Sequence, residues 1–160
     1  MSTIDGLPAH ILLVHAIVVL APLTALLAIS SALWPAARRR LVWLTVALAT
    51  VVAVLTPITT EAGEWLEGRV GRNADLHNHT QLGDTFVYFA IALLAGAILV
   101  AVVHVRETRG RAVSRMLVGA VAVLTIAAGV AATVQVYRIG ESGARAGWSG
   151  VSAQPVRAGK

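Results

Sequence analysis

The sequence contains no cysteine, a single lysine and few charges of either sign. Without cysteine there is no disulfide framework and no CxxCH haem-attachment motif, so any haem would be held non-covalently. Charged residues make up 13% of the 160 positions, against roughly 25% in an ordinary soluble domain. Hydrophobic residues make up 57%. That balance excludes a disordered chain, which needs low hydrophobicity, and argues against a soluble globular domain. Also missing are an HExxH metal motif, a Gly-rich phosphate loop and any visible nucleophile arrangement, so no catalytic residue can be named and the chain leans away from an enzyme.

What is present is four long runs without a formal charge: Ile11 to Ala37, Leu41 to Thr60, Thr85 to Val103 and Met116 to Tyr137. A helix rises about 1.5 Å per residue, so ~20 residues cross a hydrocarbon core of ~30 Å. A spanning segment must satisfy its own backbone hydrogen bonds, which here means helix. A soluble bundle would show a polar stripe on each helix, and these runs show none. The expected fold is all-α: a polytopic membrane protein built as an antiparallel bundle of four transmembrane helices, over about 9–35, 41–60, 79–104 and 114–137. Residues 1–137 form this domain. Residues 138–160 read as a polar tail with little regular structure, rich in Gly and Ser and with Pro155 near its end. No secretory signal peptide is evident, because the first apolar run is too long for a signal core and lacks a basic leader.

The charges separate by side. The links after helices one and three hold seven arginines, Arg38, Arg39, Arg40, Arg106, Arg109, Arg111 and Arg115, and one acid, Glu107, for a net charge of +6. The tails and the middle link hold six basic residues and seven acids, for a net charge of −1. The positive-inside rule then puts the arginine links in the cytoplasm and both termini on the extracytoplasmic side of a bacterial inner membrane. The basic pI is a matter of topology and not a sign of nucleic-acid binding. Trp34 and Trp43 flank one border, Trp65 and Trp148 lie at the other, as interfacial tryptophans do.

Pro22 and Pro57 fall inside helices one and two and free the carbonyls of Val18 and Ala53. Ala92 with Gly96, and Ala128 with Ala132, suit close helix contact. Of five histidines, His104 belongs to the arginine side and the other four to the opposite face. His15 lies about one and a half turns inside helix one, where an ionisable group is expected to face the bundle and find a partner; Asp84 lies at a similar depth. At 100° per residue, His10 and His15 diverge by about 140° and cannot easily serve one ion from one face. Glu61 and Glu64 share a face at the end of helix two. The outer mouth therefore collects imidazoles and carboxylates from three helices.

Three readings of that mouth compete. One is a polar network that fastens helix ends. The second is a b-type haem between two histidines of different helices, with His15, His79 and His10 as ligand candidates. The third is a divalent metal held by His10, His79, Glu61 and Asp84. The leading function is a redox or cofactor-binding membrane module. The runner-up is a non-catalytic structural or partner-binding subunit. A transporter comes third, since four helices are few and no broken-helix pair is present. The expected partners are the lipid bilayer, with a redox protein or a second copy of the chain.

Gly6 to Leu23, Thr56 to Glu67, His79 to Thr85 and Arg138 to Trp148 occur in an order and spacing that resembles the bacterial membrane proteins grouped as domain of unknown function 2231. The resemblance covers residues 6 to 148. It implies four membrane helices without an assigned activity. Relatives fused to Rieske-type or cytochrome-type modules suggest a redox setting. His10, His15 and His79 match the recurrent histidines, and Gly143, Ala144 and Trp148 match the tail motif. Two positions depart: Ile11 stands where relatives have proline, and Glu141 where the tail motif has histidine. If that histidine is a ligand in relatives, this chain lacks it or uses Glu141. Gly140 and Gly143 are expected to permit a turn that lays the tail over the mouth, near His10 and His79.

Overall fold

The computed structural model describes residues 3–4, 7–69 and 74–148. Four helices account for nearly all of them: α1 Ala9–Leu33, α2 Pro35–Glu67, α3 Ala74–Thr108 and α4 Arg115–Trp148. All four are long and apolar enough to cross a membrane. A two-residue antiparallel pair, β1 Thr3–Ile4 with β2 Leu7–Pro8, precedes α1 and is a small addition to an otherwise all-α chain. Each helix packs beside the next, and α1 closes against α4, so α1 and α3 face each other across a diagonal.

The helices run past the boundaries expected from charge. The turn between α1 and α2 is the single residue Trp34, followed by Pro35 in the first turn of α2, where its missing N–H is harmless. Arg38, Arg39 and Arg40 therefore belong to a helix and not to a link. Glu61, Glu64 and Glu67 are likewise helical. The absence of charge marks the part of a helix inside hydrocarbon; the helix itself continues into the interface. Gly110 takes a left-handed conformation (φ 66°) after α3, which a glycine adopts without steric cost. Ser114 Oγ then accepts the backbone N–H of Leu117 and caps the start of α4.

The largest departure is the segment 138–148, expected as irregular tail and found as the last three turns of α4. Gly140 and Gly143 make no turn there. An ion pair of Glu141 with Arg145, one turn apart, and the Ser142 hydroxyl bonded to the carbonyl of Ile139 support the helix locally. Residues 149–160, with Pro155, lie outside the described part, as do Asp5 and Arg72.

The core is lined by small residues. Ala21, Ala28, Ala49, Ala90, Ala97 and Ala132 are fully or almost fully buried. They let the backbones approach, which is how membrane helices gain dispersion contact. Of the small-residue pairs expected from spacing, Gly96 and Ala132 are buried but Ala92 is exposed. The closest approach at Gly96 is to Thr125, and at Gly129 to Ala25 and Ile29.

Candidate functional site

At the end of the bundle where α1 and α3 begin lies a cavity of about 480 Å³. That falls within the range of small-molecule and cofactor sites. All four helices contribute to it. Its walls are mostly apolar, with Val14, Ile17, Phe86, Val136 and Ile139 among them, and two imidazoles, His10 and His79, line it as well. These two come from the diagonally opposed helices α1 and α3.

Each ring is fixed in the same manner. His10 Nδ1 lies 3.0 Å from the carbonyl oxygen of Thr59 on α2. His79 Nδ1 lies 3.1 Å from the carbonyl oxygen of Ile139 on α4. A carbonyl has no proton, so Nδ1–H must be the donor in both. In the neutral imidazole Nε2 is then the nitrogen with the free lone pair. A Ser142 hydroxyl 3.1 Å from His79 Nδ1 gives that proton a second acceptor, since the hydroxyl's own proton goes to Ile139.

Glycine is what allows the approach. A carbonyl in a helix faces the residue four positions on, and those residues are Gly63 and Gly143. A Cβ at Gly63 would lie 2.9 Å from His10 Cε1 and Nδ1, and one at Gly143 would lie 3.0 Å from His79 Cε1. A side chain at Gly63 would require the His10 ring to shift, and one at Gly143 would require His79 to give by a few tenths of an ångström.

The ring centres are 6.4 Å apart, with planes at 83°. A metal–imidazole bond of about 2 Å, with the ring centre about 1 Å beyond the nitrogen, puts two imidazoles trans on one metal roughly 6 Å apart, and neighbouring positions roughly 4–5 Å apart. The observed 6.4 Å is close to the first of these separations. Among the described residues, no group of three or more His, Asp and Glu side chains gathers in a way that could hold a bare metal ion.

The other residues singled out in the sequence lie elsewhere. His15 is exposed on α1, outside the cavity, and its Nδ1–H goes to the carbonyl of Ile11 in its own helix and not to Asp84. Asp84 and Glu64 do line the cavity, and with Glu61 they also border a smaller one between α2 and α3. Glu61 itself does not reach the histidines' cavity. His77 is exposed and accepts the Gln81 amide at 3.1 Å. Glu141 pairs with Arg145 and lies outside the cavity. Gly143, Ala146 and Gly147 do border the cavity, as one of its walls and not as a lid. In the sequence the seats at Gly63 and Gly143 are marked only by a glycine in the last turns of α2 and of α4.

At the opposite end, a buried guanidinium joins the helices. Arg38 is 3% exposed. Its guanidinium reaches the carbonyls of Ser31 and Ala32 at the end of α1 and pairs with Glu107 of α3 at 2.9 Å. His104 meets Trp43 edge-on at 6.4 Å. Arg38 Nε, Ser31 Oγ and His104 Nδ1 are buried there without a protein partner.

The fold and this site define a four-helix membrane protein with a cavity at one end of its bundle. The chain belongs to the DUF2231 family of predicted membrane proteins, which matches residues 6–154. No curated protein matches the chain, and no solved structure does.

Proposed function

We propose that the chain is a redox-type membrane module whose cavity holds b-type haem non-covalently, with His10 and His79 as the axial ligands. The observation that carries this reading is the imidazole pair: two rings on diagonal helices, each with Nδ1–H committed to a carbonyl, 6.4 Å apart in one largely apolar cavity. A hydrogen bond at the outer nitrogen of a ligating histidine fixes its tautomer and orientation. Porphyrin supplies four nitrogen donors and asks the protein for only two, whereas a structural zinc site draws four ligands from the protein. The donor set matches the first demand. The arginine end faces the cytoplasm of a bacterial inner membrane, and the cavity opens on the other side, following the positive-inside rule.

A second reading has an observation of its own. The bonds from His10 to Thr59 and from His79 to Ile139 each tie one helix to its neighbour, as in a polar network of a structural subunit. Purification from cells supplied with haem separates the two. Haem binding predicts about one iron and one extractable haem per chain, both lost in His79→Ala. Wild-type protein without iron or haem, and less heat-stable on the same substitution, would favour the structural subunit and overturn the haem.

A further inference from the structure

We infer that the iron position between His10 and His79 is closed on both faces by imidazoles with crossed ring planes, so that the site passes single electrons and binds no small ligand. This rests on the haem reading above.

The ground for it is that the two halves of the bundle are the same construction used twice. With His10 matched to His79, buried Ile17, Ala21, Ala28 and Ala32 of α1 fall on buried Phe86, Ala90, Ala97 and Ala101 of α3. With Gly63 matched to Gly143, buried Thr45, Val52 and Ala62 of α2 fall on buried Thr125, Ala132 and Ser142 of α4. Thr45 Oγ1 donates to the carbonyl of Leu41 at 2.8 Å, and its counterpart Thr125 Oγ1 to the carbonyl of Val121 at 2.7 Å. Such parallel repeats are related by an axis along the membrane normal. Each hairpin thus carries one complete half-site: a histidine on its first helix, and a carbonyl and a glycine seat on its second.

That construction fixes each ring independently of the other. Turning His10 toward the plane of His79 would break its bond to Thr59 or drive it from Gly63, and the same holds for His79 over Gly143. The planes lie at 83° with each ring on its own carbonyl and beside its own glycine. With an anchored imidazole on either side, His10 and His79 would cover both faces of a haem held there. Haem held there would supply one-electron exchange with a redox carrier protein. No bond to iron forms or breaks, and no proton moves.

The test uses full-length protein purified with haem. Frozen ferric protein is expected to give the strongly anisotropic low-spin electron paramagnetic resonance signal of crossed imidazole planes. Dithionite-reduced protein is expected to show no spectral shift under carbon monoxide, whereas Gly63→Ala, with its ring displaced, is expected to show one. A high-spin ferric signal or a carbon monoxide shift in the wild type would overturn the closed site. A rhombic low-spin signal, that of parallel planes, would overturn the crossed geometry while leaving bound haem in place. Protein that takes up no haem would overturn the haem reading itself.

Discussion

The two ends of the bundle use buried polar groups in opposite ways. At the arginine end, the Arg38 guanidinium is directed at the protein: it covers carbonyls of α1 that have no helical donor and pairs with Glu107, binding three helices together. No ligand has to be invoked for its charge. At the histidine end, hydrogen bonding uses only one nitrogen of each imidazole and leaves the other beside an open cavity. Arg38 Nε, Ser31 Oγ and His104 Nδ1 are also without a protein partner at the arginine end, so what sets the histidine end apart is the cavity that its two rings line. The difference separates a clamp from a receptor, though both are made of buried polar side chains in an apolar bundle.

Substitutions at the two ends should therefore fail differently. The largest effect belongs to His10→Ala and His79→Ala, each expected to abolish the six-coordinate haem spectrum while circular dichroism retains the helices. Next come Gly63→Ala and Gly143→Ala. Alanine is better than glycine in a helix by about 1 kcal/mol, yet each added Cβ would meet an imidazole at 2.9–3.0 Å. Haem affinity is expected to fall at least tenfold on titration, with no loss of melting temperature. Glu107→Gln should do the reverse. It leaves the Arg38 charge buried without its partner and is expected to cost roughly 2 kcal/mol, less than a fully buried pair because Glu107 is 39% exposed. Chemical denaturation in detergent would read that loss, and the haem spectrum should not change. Smaller still is Ser142→Ala, which removes one of two acceptors from His79 Nδ1–H. A weaker acceptor makes the imidazole a poorer donor to ferric iron, so a modest rise in the midpoint potential is expected in a redox titration. His15→Ala should leave spectrum and potential unchanged; an effect as large as that of His10→Ala would break the assignment of ligands.

Much of the fold was legible because hydrocarbon imposes a simple rule. Four runs without Asp, Glu, Lys or Arg, each of about the spanning length, can only be helices. The helix ends were less legible, because Arg38 and Glu64 carry charge while remaining helical in the interface. The segment 138–148 misled through its glycines, which serve as a seat for a ring and not as a turn. At the site, His79 and His10 stood out by residue type alone. Depth favoured His15, but depth does not say which way a side chain faces. About 140° of rotation separates His10 from His15 on one helix, and only the packing of α1 against its neighbours decides which of them enters the cavity. The glycine seats were hidden for the same reason: pairing His10 with Gly63 depends on the register between α1 and α2, which a single sequence does not display.

The most direct measurement is the reduced-minus-oxidised absorption spectrum of the wild type beside His10→Ala, His79→Ala and His15→Ala, all purified from cells supplied with haem. A ligand pair at His10 and His79 predicts a Soret band that shifts on reduction, with sharp α and β bands, in the wild type and His15→Ala and in neither of the other two. A wild type without a Soret band, or a spectrum that survives the loss of His10 or His79, would contradict it.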